Sequence, residues 1–265
     1  MEYFGSIPFI KINKKTFNMG KIPNDNLAQS NEKNRTTTIT KDFYIQQTPV
    51  TAHQYWEFLN ETGYFFNYRL EVWNGDTWVM GPSFSDANHN NSDDYPVVGV
   101  SYKDALAFIE WSRSKYNLRF RLPTEAEFEL AAKADCCCID QCSMAETINH
   151  LNLVRKDEEK YKDGPYKISQ GKINSIGLSC MSGLIWQWCE DWYSDYSLND
   201  NVDPVGPIVR PTETRWKGRK LGPTKVIRGG SFSYTYNHSR CSNRHCSFPE
   251  DRNMNLGFRL CLNID

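Results

Sequence analysis

The sequence lacks an excess of charge of either sign, a long hydrophobic run and a recognisable leader segment. Its 31 Lys and Arg residues balance 32 Asp and Glu residues, so no overall basic bias indicates a nucleic-acid or anionic-membrane partner, and a local basic patch is left open. The apolar run that ends at Val100 is far shorter than the ~20 residues of a membrane-spanning helix. Met1 to Gly5 has neither the basic start nor the apolar core of a signal peptide. We therefore expect no nucleic-acid partner, no membrane span and a cytoplasmic location, with surface display through a partner left open.

Paired cysteine motifs are also absent, although the chain contains nine cysteines. Four of them crowd the segment 136–142, and the other five are widely spaced. Neighbouring cysteines are a poor disulfide framework, and without a CxxC…CxxC pair the sequence has no closed structural zinc site. We expect most of the thiols to be reduced, which fits a cytoplasmic chain.

The composition that is present is that of a globular protein rich in aromatic rings. Of the 265 residues, 39% are hydrophobic and 14% are aromatic, which is enough to bury a substantial core. No internal repeat and no linker-like segment divides the chain. We therefore predict a single domain over residues 1–265.

Three capping boxes predict where helices begin. In each of them a Ser or Thr precedes an Asp, Glu or Gln by three residues, and apolar residues follow at helical spacing. The first helix is expected to stop at Gly63, and Glu125 and Glu129 of the third are expected to be exposed. The three boxes are Thr51 with Gln54, Ser101 with Asp104, and Thr124 with Glu127.

Short strands are predicted between the helices, and two long polar segments are predicted to lack regular structure. The polar segments, 67–95 and 135–175, are rich in Asn, Asp, Ser, Lys and Gly. Loops of that length are uncommon in compact domains and are often functional. The predicted strands are 7–12, 43–45, 226–227 and 257–260.

Several motifs follow one another in the same order as in a known family. The most specific are RLPTEAEFE at 121–129, RGGS at 228–231 and NLGFR at 255–259. Further similar segments are 6–19, 43–59, 96–111 and 177–193. Through these motifs the chain resembles the formylglycine-generating enzyme family, also called the sulfatase-modifying factors. The resemblance implies the α+β class and a C-type-lectin-like fold with long irregular loops.

The resemblance allows the copper site of the family to be compared position by position. Catalytic members oxidise a substrate cysteine to formylglycine with copper held by two cysteines, which correspond here to Tyr234 and Ser239. Neither residue is a thiol, and copper(I) prefers thiolate ligands. Cys241 and Cys246 keep the five-residue separation but lie seven residues further along, so an oxidase that uses this displaced pair is the alternative. We predict no catalytic residue and no cofactor.

Other metal sites of the family are not matched either. The resemblance implies calcium ligands at the Asn and Glu of a motif that typically reads MAGNVWEW, and these positions hold Leu184 and Gln187. Calcium prefers charged or carbonyl oxygens, which a leucine side chain lacks. Iron-dependent sulfoxide synthases of the family use a histidine cluster, whereas this chain has five histidines and no HxxxH pair. We predict no metal site.

The segment between the RGGS and NLGFR motifs has the composition of a recognition surface. Residues 232–248 are rich in Tyr, His, Asn, Ser and Arg, and they include no Lys, Glu, Gln, Met or Trp. The family commonly keeps an Arg-x-x-Asn-Arg element here, which implies that Arg240, Asn243 and Arg244 brace the loop. The predicted ligand contacts are Ser233, Tyr234, Tyr236, Asn237, His238, His245, Cys246, Ser247 and Phe248.

The same segment resembles the hypervariable region of non-catalytic variable proteins that are diversified by retroelements and use this scaffold. Randomising the adenines of Asn codons yields a set of residues to which all nine predicted contacts belong. An ordinary fixed loop is the alternative interpretation of this segment. Both imply that the loop binds a protein or other macromolecular ligand without making bonds, and a purely structural subunit is a third interpretation.

Overall fold

A computed structural model describes most of the chain. The described residues are 1–21, 25–64, 69–73, 77–88, 92–134, 165, 167–171, 173–196, 200–234 and 236–264. The cysteine-rich segment 136–142 and most of the polar segment 135–175 lie outside the described residues.

The four α-helices of the described residues lie between residues 52 and 133, and runs of short strands precede and follow them, as expected for the α+β class. The helices are α1 (Ala52–Thr62), α2 (Phe84–Ala87), α3 (Tyr102–Tyr116) and α4 (Glu125–Lys133). The strands are β1 (Glu2–Phe4), β2 (Ile7–Ile12), β3 (Lys15–Met19), β4 (Arg35–Ile39), β5 (Phe43–Gln46), β6 (Arg69–Trp73), β7 (Trp78–Ser83), β8 (Phe120–Arg121), β9 (Trp186–Trp192), β10 (Thr214–Trp216), β11 (Arg219–Leu221), β12 (Lys225–Arg228), β13 (His245–Ser247), β14 (Leu256–Gly257) and β15 (Cys261–Asn263). Short 3-10 turns cover Ile168–Gln170 and Tyr236–Ser239.

The three predicted helix starts are confirmed by their caps. The Thr51 hydroxyl accepts a hydrogen bond from the Gln54 backbone N–H at 3.1 Å, and the Gln54 side chain accepts one from the Thr51 N–H at 3.0 Å. Helix α1 ends at Gly63, whose φ of 63° lies in the left-handed region. Ser101 and Thr124 begin α3 and α4 with reciprocal boxes of the same kind.

The first sheet contains five strands in the order β1-β2-β5-β15-β8, and all neighbouring pairs are antiparallel. Strand β15 lies inside this sheet, because Cys261 pairs with Ile45 of β5 on one side and with Arg121 of β8 on the other. The predicted strands 7–12 and 43–45 are confirmed. The predicted strand 257–260 is wrong, since the chain passes here from β14 in the second sheet to β15 in the first.

The second sheet carries residues 232–248, which we call the candidate loop. Its order is β13-β12-β9-β14, with β12 antiparallel to both β13 and β9, and with β14 parallel to β9. Val226 of β12 pairs with Cys246 of β13. The loop therefore leads from β12 into its neighbour β13 and lies at one end of these two strands.

One segment that was predicted to be irregular contains a hairpin. Strands β6 and β7 are antiparallel, Val72 pairs with Val79, and α2 follows directly. Leu70 is buried whereas Met80 is exposed, which is typical of a sheet with one side against the core. The prediction for 67–95 is wrong in this part because the many Asn, Asp and Gly residues conceal the alternation.

Aromatic rings fill the core between the helices and the sheets. Tyr55 of α1 and Phe108 of α3 stack with their ring centroids 5.6 Å apart, and Phe258 meets Phe108 edge-on at 5.4 Å. Trp186 and Trp188 of β9 are buried in the same cluster. Each such ring pair contributes about 0.5–1.5 kcal/mol beyond the area it buries. Among the described helices, none combines the length and the apolar character needed to cross a bilayer.

Candidate ligand-binding site

The candidate loop begins with two glycines whose backbone conformation requires them. Gly229 and Gly230 have φ angles of 98° and 70°, which side chains rarely adopt. A Cβ atom added to Gly230 would lie 2.6 Å from the carbonyl oxygen of His238, well inside contact distance. The RGGS motif thus allows the chain to reverse closely against the turn Tyr236–Ser239.

Arg240 fixes the middle of the loop to the N-terminal part of the chain. Its guanidinium donates two hydrogen bonds of 2.6 Å to the carboxylate oxygens of buried Glu32 and one of 2.7 Å to Asp25. Asn243 and Ser242 also donate to Glu32, each at 3.0 Å. Burial by itself raises the pKa of Glu32, but these bonds outweigh burial and hold the pKa below its usual value. The charged carboxylate thereby holds three loop residues in place.

Arg244 fixes the end of the loop to helix α4. Its guanidinium donates hydrogen bonds of 2.6 and 2.7 Å to the two carboxylate oxygens of Glu125 and lies 3.7 Å from the ring centroid of Tyr196. Burial raises the pKa of Glu125, yet the charges of Arg244 and Arg228 lower it overall. Bidentate pairs of arginine and carboxylate are among the strongest hydrogen-bonded contacts in proteins. All three side chains that the resemblance assigns to bracing therefore bind a buried carboxylate.

The expectation that Glu125 and Glu129 are exposed is wrong. Glu129 is fully buried, binds Arg228, and lies 2.6 Å from the Nζ atom of Lys133. Arg228 also donates to the carbonyl oxygen of Ser242 at 2.9 Å. The carboxylates of α4 are buried because buried arginines of β12 and of the loop need opposite charges. Local spacing could not reveal this, since Glu129 and Arg228 are 99 residues apart in the sequence.

Five rings lie together beside these braces, and we call them the aromatic cluster. Tyr234 meets Trp186 edge-on with centroids 5.5 Å apart and meets His238 at 5.1 Å. His245 is tilted against Trp216 at 4.6 Å and against Trp186 at 5.1 Å. Trp186 is only 2% exposed, whereas the other four rings are half-buried. The structure thus brings three predicted contact residues onto one buried tryptophan.

His245 is neutral in this cluster. Burial lowers its pKa to about 4, because a charged imidazolium loses its hydration there. Its Nδ1 atom lies 2.9 Å from the carbonyl oxygen of Cys246. Since a carbonyl oxygen can only accept, Nδ1 carries the proton and Nε2 is an acceptor.

Four other predicted contacts lie around the cluster. The Ser233 hydroxyl accepts a hydrogen bond of 2.6 Å from the side chain of Asn255. Asn237 is half-buried, and its carbonyl oxygen accepts a bond from Arg240 at 3.0 Å. Phe248 is 40% exposed. The side chain of Tyr236 lies outside the described part of the chain.

Two predicted contacts are buried. Cys246 and Ser247 belong to β13, and they are 7% and 6% exposed. The Ser247 hydroxyl donates a hydrogen bond of 2.5 Å to Asp251. Side chains buried this deeply cannot touch a ligand at the surface, so we exclude both from the contact set.

The residues near the copper position of the family do not fit copper. Ser239, at one ligand position, is buried and is not a thiol. The Cys241 thiol donates to the carbonyl oxygen of Ala132 at 3.6 Å, and burial raises its pKa. Burial also raises the pKa of Cys246, to about 11. Burial disfavours the thiolate form to which copper(I) binds, because the metal must displace the thiol proton, and the described residues contain no group of three or more metal-ligating side chains.

The residues at the calcium position do not fit calcium. The Gln187 amide donates to the carbonyl oxygen of Cys180 at 3.0 Å and accepts from Nε of Arg259 at 2.6 Å. Arg259 is fully buried and donates to four backbone carbonyl oxygens besides. The oxygens of this region therefore accept hydrogen bonds from the Arg259 guanidinium and do not face a calcium ion. The Leu184 side chain has no oxygen with which to bind calcium.

The sequence profile of the family described as "Sulfatase-modifying factor enzyme 1-like domain" matches residues 9–264. The chain belongs to this family. Formylglycine-generating enzyme of Thermomonospora curvata is 27% identical to this family member over 92% of the chain and 89% of that enzyme. Serine/threonine-protein kinase pkn1 of Chlamydia pneumoniae is 27% identical over 86% of the chain, which spans only 34% of the kinase.

Solved structures similar to this sulfatase-modifying factor family member confirm the expected fold. PvdO from Pseudomonas aeruginosa has a TM-score of 0.73 at 20% identity, over 97% of this chain and 94% of that one. Treponema denticola variable protein 1 has a TM-score of 0.67 at 22% identity, over 99% of this chain and 98% of that one. At such identities the likeness concerns the fold alone.

Sequence reasoning missed three residues of the site, namely Asp25, Glu32 and Trp216. The one available signal for the two acids was indirect. Residues 232–248 contain arginines but no acidic residue, so buried arginines there need carboxylates from elsewhere. Nothing in the sequence indicated which acids these are, and nothing marked Trp216.

Proposed function

We propose that this family member is a non-catalytic ligand-binding protein whose contact surface is the loop 232–248. The observation that carries the proposal is the change at the two copper positions. Tyr234 and Ser239 replace thiols there, and Tyr234 belongs to the aromatic cluster. A half-buried ring that offers contact area thus replaces a ligand for a redox metal.

The rigidity of the loop supports a role in recognition. Arg240 and Arg244 each form a bidentate pair with a buried carboxylate, Glu32 and Glu125 respectively. A loop that is ordered before binding loses less conformational entropy when the ligand arrives. Aromatic rings held on such a frame provide contact area with few rotatable bonds.

The contact set that we propose is the predicted list without its two buried members, Cys246 and Ser247. Tyr234, His238 and His245 form its centre, and they rest on Trp186. The outer members are Ser233, Tyr236, Asn237 and Phe248. The ligand is a protein or another macromolecule, since separate rings and short polar groups suit an extended contact.

Peptide selection tests this function. A phage-displayed library of random peptides is panned on the immobilised protein, and enriched peptides are measured by fluorescence anisotropy. We expect Tyr234→Ala with His238→Ala to weaken their binding by roughly a hundredfold, as for residues at the centre of an interface. The matched control is Tyr3→Ala, which removes a ring that is 66% exposed on β1 of the other sheet. Failure to enrich peptides that depend on Tyr234 and His238, with the variant still folded, would contradict the proposal.

We further propose that the loop is a variable region diversified by a retroelement. The support is that the contact residues belong to the set reachable from Asn codons, whereas the bracing residues Arg240, Asn243 and Arg244 bind buried carboxylates that a change would leave unpaired. Deep sequencing of the 3′ end of the gene from a growing source population tests this. Substitutions confined to codons 233–238 and 245–248 are expected, and a uniform sequence would rule out diversification in that population.

A copper-dependent formylglycine-generating oxidase is the second candidate function. It is favoured by the five-residue separation of Cys241 and Cys246 and by the 27% identity to the Thermomonospora curvata enzyme. It predicts copper(I) binding at one ion per chain that is lost in Cys241→Ser, together with oxygen consumption in the presence of a cysteine peptide. Absence of copper from a reconstituted sample would exclude it.

We infer a single domain over 1–265 and a cytoplasmic location. The family match over residues 9–264 supports the first. The second is supported by the five cysteines among the described residues, all of them free thiols, because reducing compartments keep thiols free.

A further inference from the structure

A strongly basic hairpin lies next to the aromatic cluster. We call β10 and β11, residues 214–221, the basic hairpin. Its exposed cations are Arg215, Lys217, Arg219 and Lys220. The neighbouring carboxylate of Glu213 lies 3.4 Å from Arg215 and 3.1 Å from Lys220. A single acid among four cations leaves the hairpin positive, although the net charge of the whole chain is -1.

The basic hairpin and the candidate loop form one continuous surface. Trp216 of the hairpin contacts His245 with ring centroids 4.6 Å apart. Just beyond the hairpin, a Cβ atom added to Gly222 would lie 3.3 Å from the ring of Phe248. The hairpin therefore lies beside β13, where the candidate loop ends, so a ligand on the aromatic cluster lies within reach of the hairpin cations.

An unpaired hydrogen-bond donor of the basic hairpin is a second, independent observation. The indole N–H groups of Trp186 and Trp216 are buried, and neither has an acceptor among the described residues. Buried polar groups in proteins are nearly always paired. Trp186 is only 2% exposed and lies too deep to meet a ligand, whereas Trp216 is half-buried on the basic hairpin, so its unpaired donor favours a ligand that brings acceptor oxygens.

We propose that the ligand is an acidic segment of a protein, whose Asp and Glu side chains face the basic hairpin and whose oxygens accept from the Trp216 indole. This inference rests on the proposed function. The cations explain the sign of the ligand charge, since opposite potentials across an interface select partners and speed association. The rings explain why the ligand is a protein segment, because aromatic contacts need apolar side chains beside the acids.

Competing polyanions fit the surface less well. Nucleic acids are bound through many phosphates along an extended basic face, whereas the cations described here are confined to one hairpin that also has Glu213 as a neighbour. His245 adds no charge, because burial lowers its pKa to about 4. A sulfated polysaccharide has no apolar group for the five rings and Phe248, whereas the bases of a single-stranded nucleic acid stack on such rings, so a DNA oligonucleotide is the competitor that the test must exclude.

The peptide selection described above tests the ligand class through its sequences and its salt dependence. We expect the enriched peptides to contain an excess of Asp and Glu, and their binding to weaken between 50 and 500 mM NaCl, about the range over which screening becomes strong. We expect Lys217→Glu with Arg219→Glu to weaken binding by roughly tenfold or more, because attraction becomes repulsion.

The matched control reverses two exposed cations elsewhere, Lys41→Glu with Arg119→Glu, and changes the net charge by the same amount. We expect this control to bind the acidic peptides as the wild type does. Equal weakening in both variants would overturn the proposal, because it would reflect net charge alone. Tighter binding of a heparin fragment or a single-stranded DNA oligonucleotide would also overturn it.

The two proposals fail in different ways. Enriched peptides that depend on Tyr234 and His238 but are neutral or basic would overturn only the acidic ligand. If no peptide depends on these two residues, the proposed function itself fails.

Discussion

Glu125 belongs to the RLPTEAEFE motif and Glu32 to none of the motifs, and each supplies the opposite charge that keeps an arginine of the loop buried. Both carboxylates are bound in a bidentate way at 2.6 to 2.7 Å. Buried ion pairs contribute little net stability compared with apolar residues of the same size, because both charges lose their hydration. Removing one partner is costly, however, since the other charge stays buried. These pairs therefore make the conformation of the loop specific.

We expect Glu32→Gln to lower the free energy of unfolding by about 3–5 kcal/mol, because Arg240 loses its main opposite charge in a buried position. Urea unfolding followed by tryptophan fluorescence measures this. The control is Glu213→Gln, which removes a carboxylate from exposed pairs with Arg215 and Lys220 and should cost less than about 1 kcal/mol. Equal effects of the two variants would show that the Glu32 pair has no special role.

At the scale of elements, the loop depends on its glycine turn as much as on its ion pairs. Gly230 has φ 70° and lies directly against the backbone of His238, whereas Gly218 in the turn of the basic hairpin has φ 77° and open space around it. The two glycines share a left-handed backbone conformation and differ in the room that each leaves for a side chain. Alanine substitutions at the two positions therefore separate the cost of the left-handed conformation from the cost of crowding by neighbouring atoms.

We expect Gly230→Ala to destabilise the protein by roughly 3 kcal/mol or more, since the added methyl group meets a backbone carbonyl that cannot move away. Gly218→Ala should cost only about 1 kcal/mol, the price of a left-handed alanine. Thermal unfolding of both variants measures the difference. Similar melting temperatures would mean that the turn relaxes easily and does not fix the loop.

The elements that could be predicted are those defined by local chemistry. The starts of three helices could be predicted at Thr51, Ser101 and Thr124, because a capping box is formed by two residues only three positions apart. The hairpin of β6 and β7 was missed because the Asn, Asp and Ser residues that surround its two short strands dominate the composition of 67–95. In the candidate site, the motif located Arg240 and Arg244, but their partners Glu32 and Glu125 lie 208 and 119 residues away. Only the folded chain brings such residues together.

At the scale of the whole molecule, one buried acid near α4 makes stability depend on pH. Burial raises the pKa of Asp191 to about 8, and the charge of Glu125 adds to the shift. Its carboxyl accepts a hydrogen bond from the backbone N–H of Glu125 at 2.8 Å. The folded state thus keeps a proton that the unfolded chain has lost above about pH 4. Stability contributed by this group falls as the pH rises from about 4 to 8.

We expect Asp191→Asn to remove this part of the pH dependence, because an amide keeps the hydrogen bond from Glu125 and never ionises. Wild-type stability should decline by up to about 1.4 kcal/mol per pH unit between pH 5 and 8, and the variant should change much less. Urea unfolding across this range measures both. Below about pH 4 the two proteins should lose stability together, since the low pKa values of Glu32 and Glu125 apply to both. Parallel curves from pH 5 to 8 would contradict the prediction.

The position of β15 has a consequence for how the protein is made. This strand, near the end of the sequence, lies between β5 and β8, so it joins parts of the sheet that are synthesised much earlier. Until residues 261–263 have left the ribosome, β8 has no partner that connects it to β5. Contacts between such distant parts of a chain form slowly, and unpaired strand edges promote aggregation. The sheet therefore stays incomplete until β15 has been synthesised, and a chaperone that covers β5 and β8 until then would raise the yield.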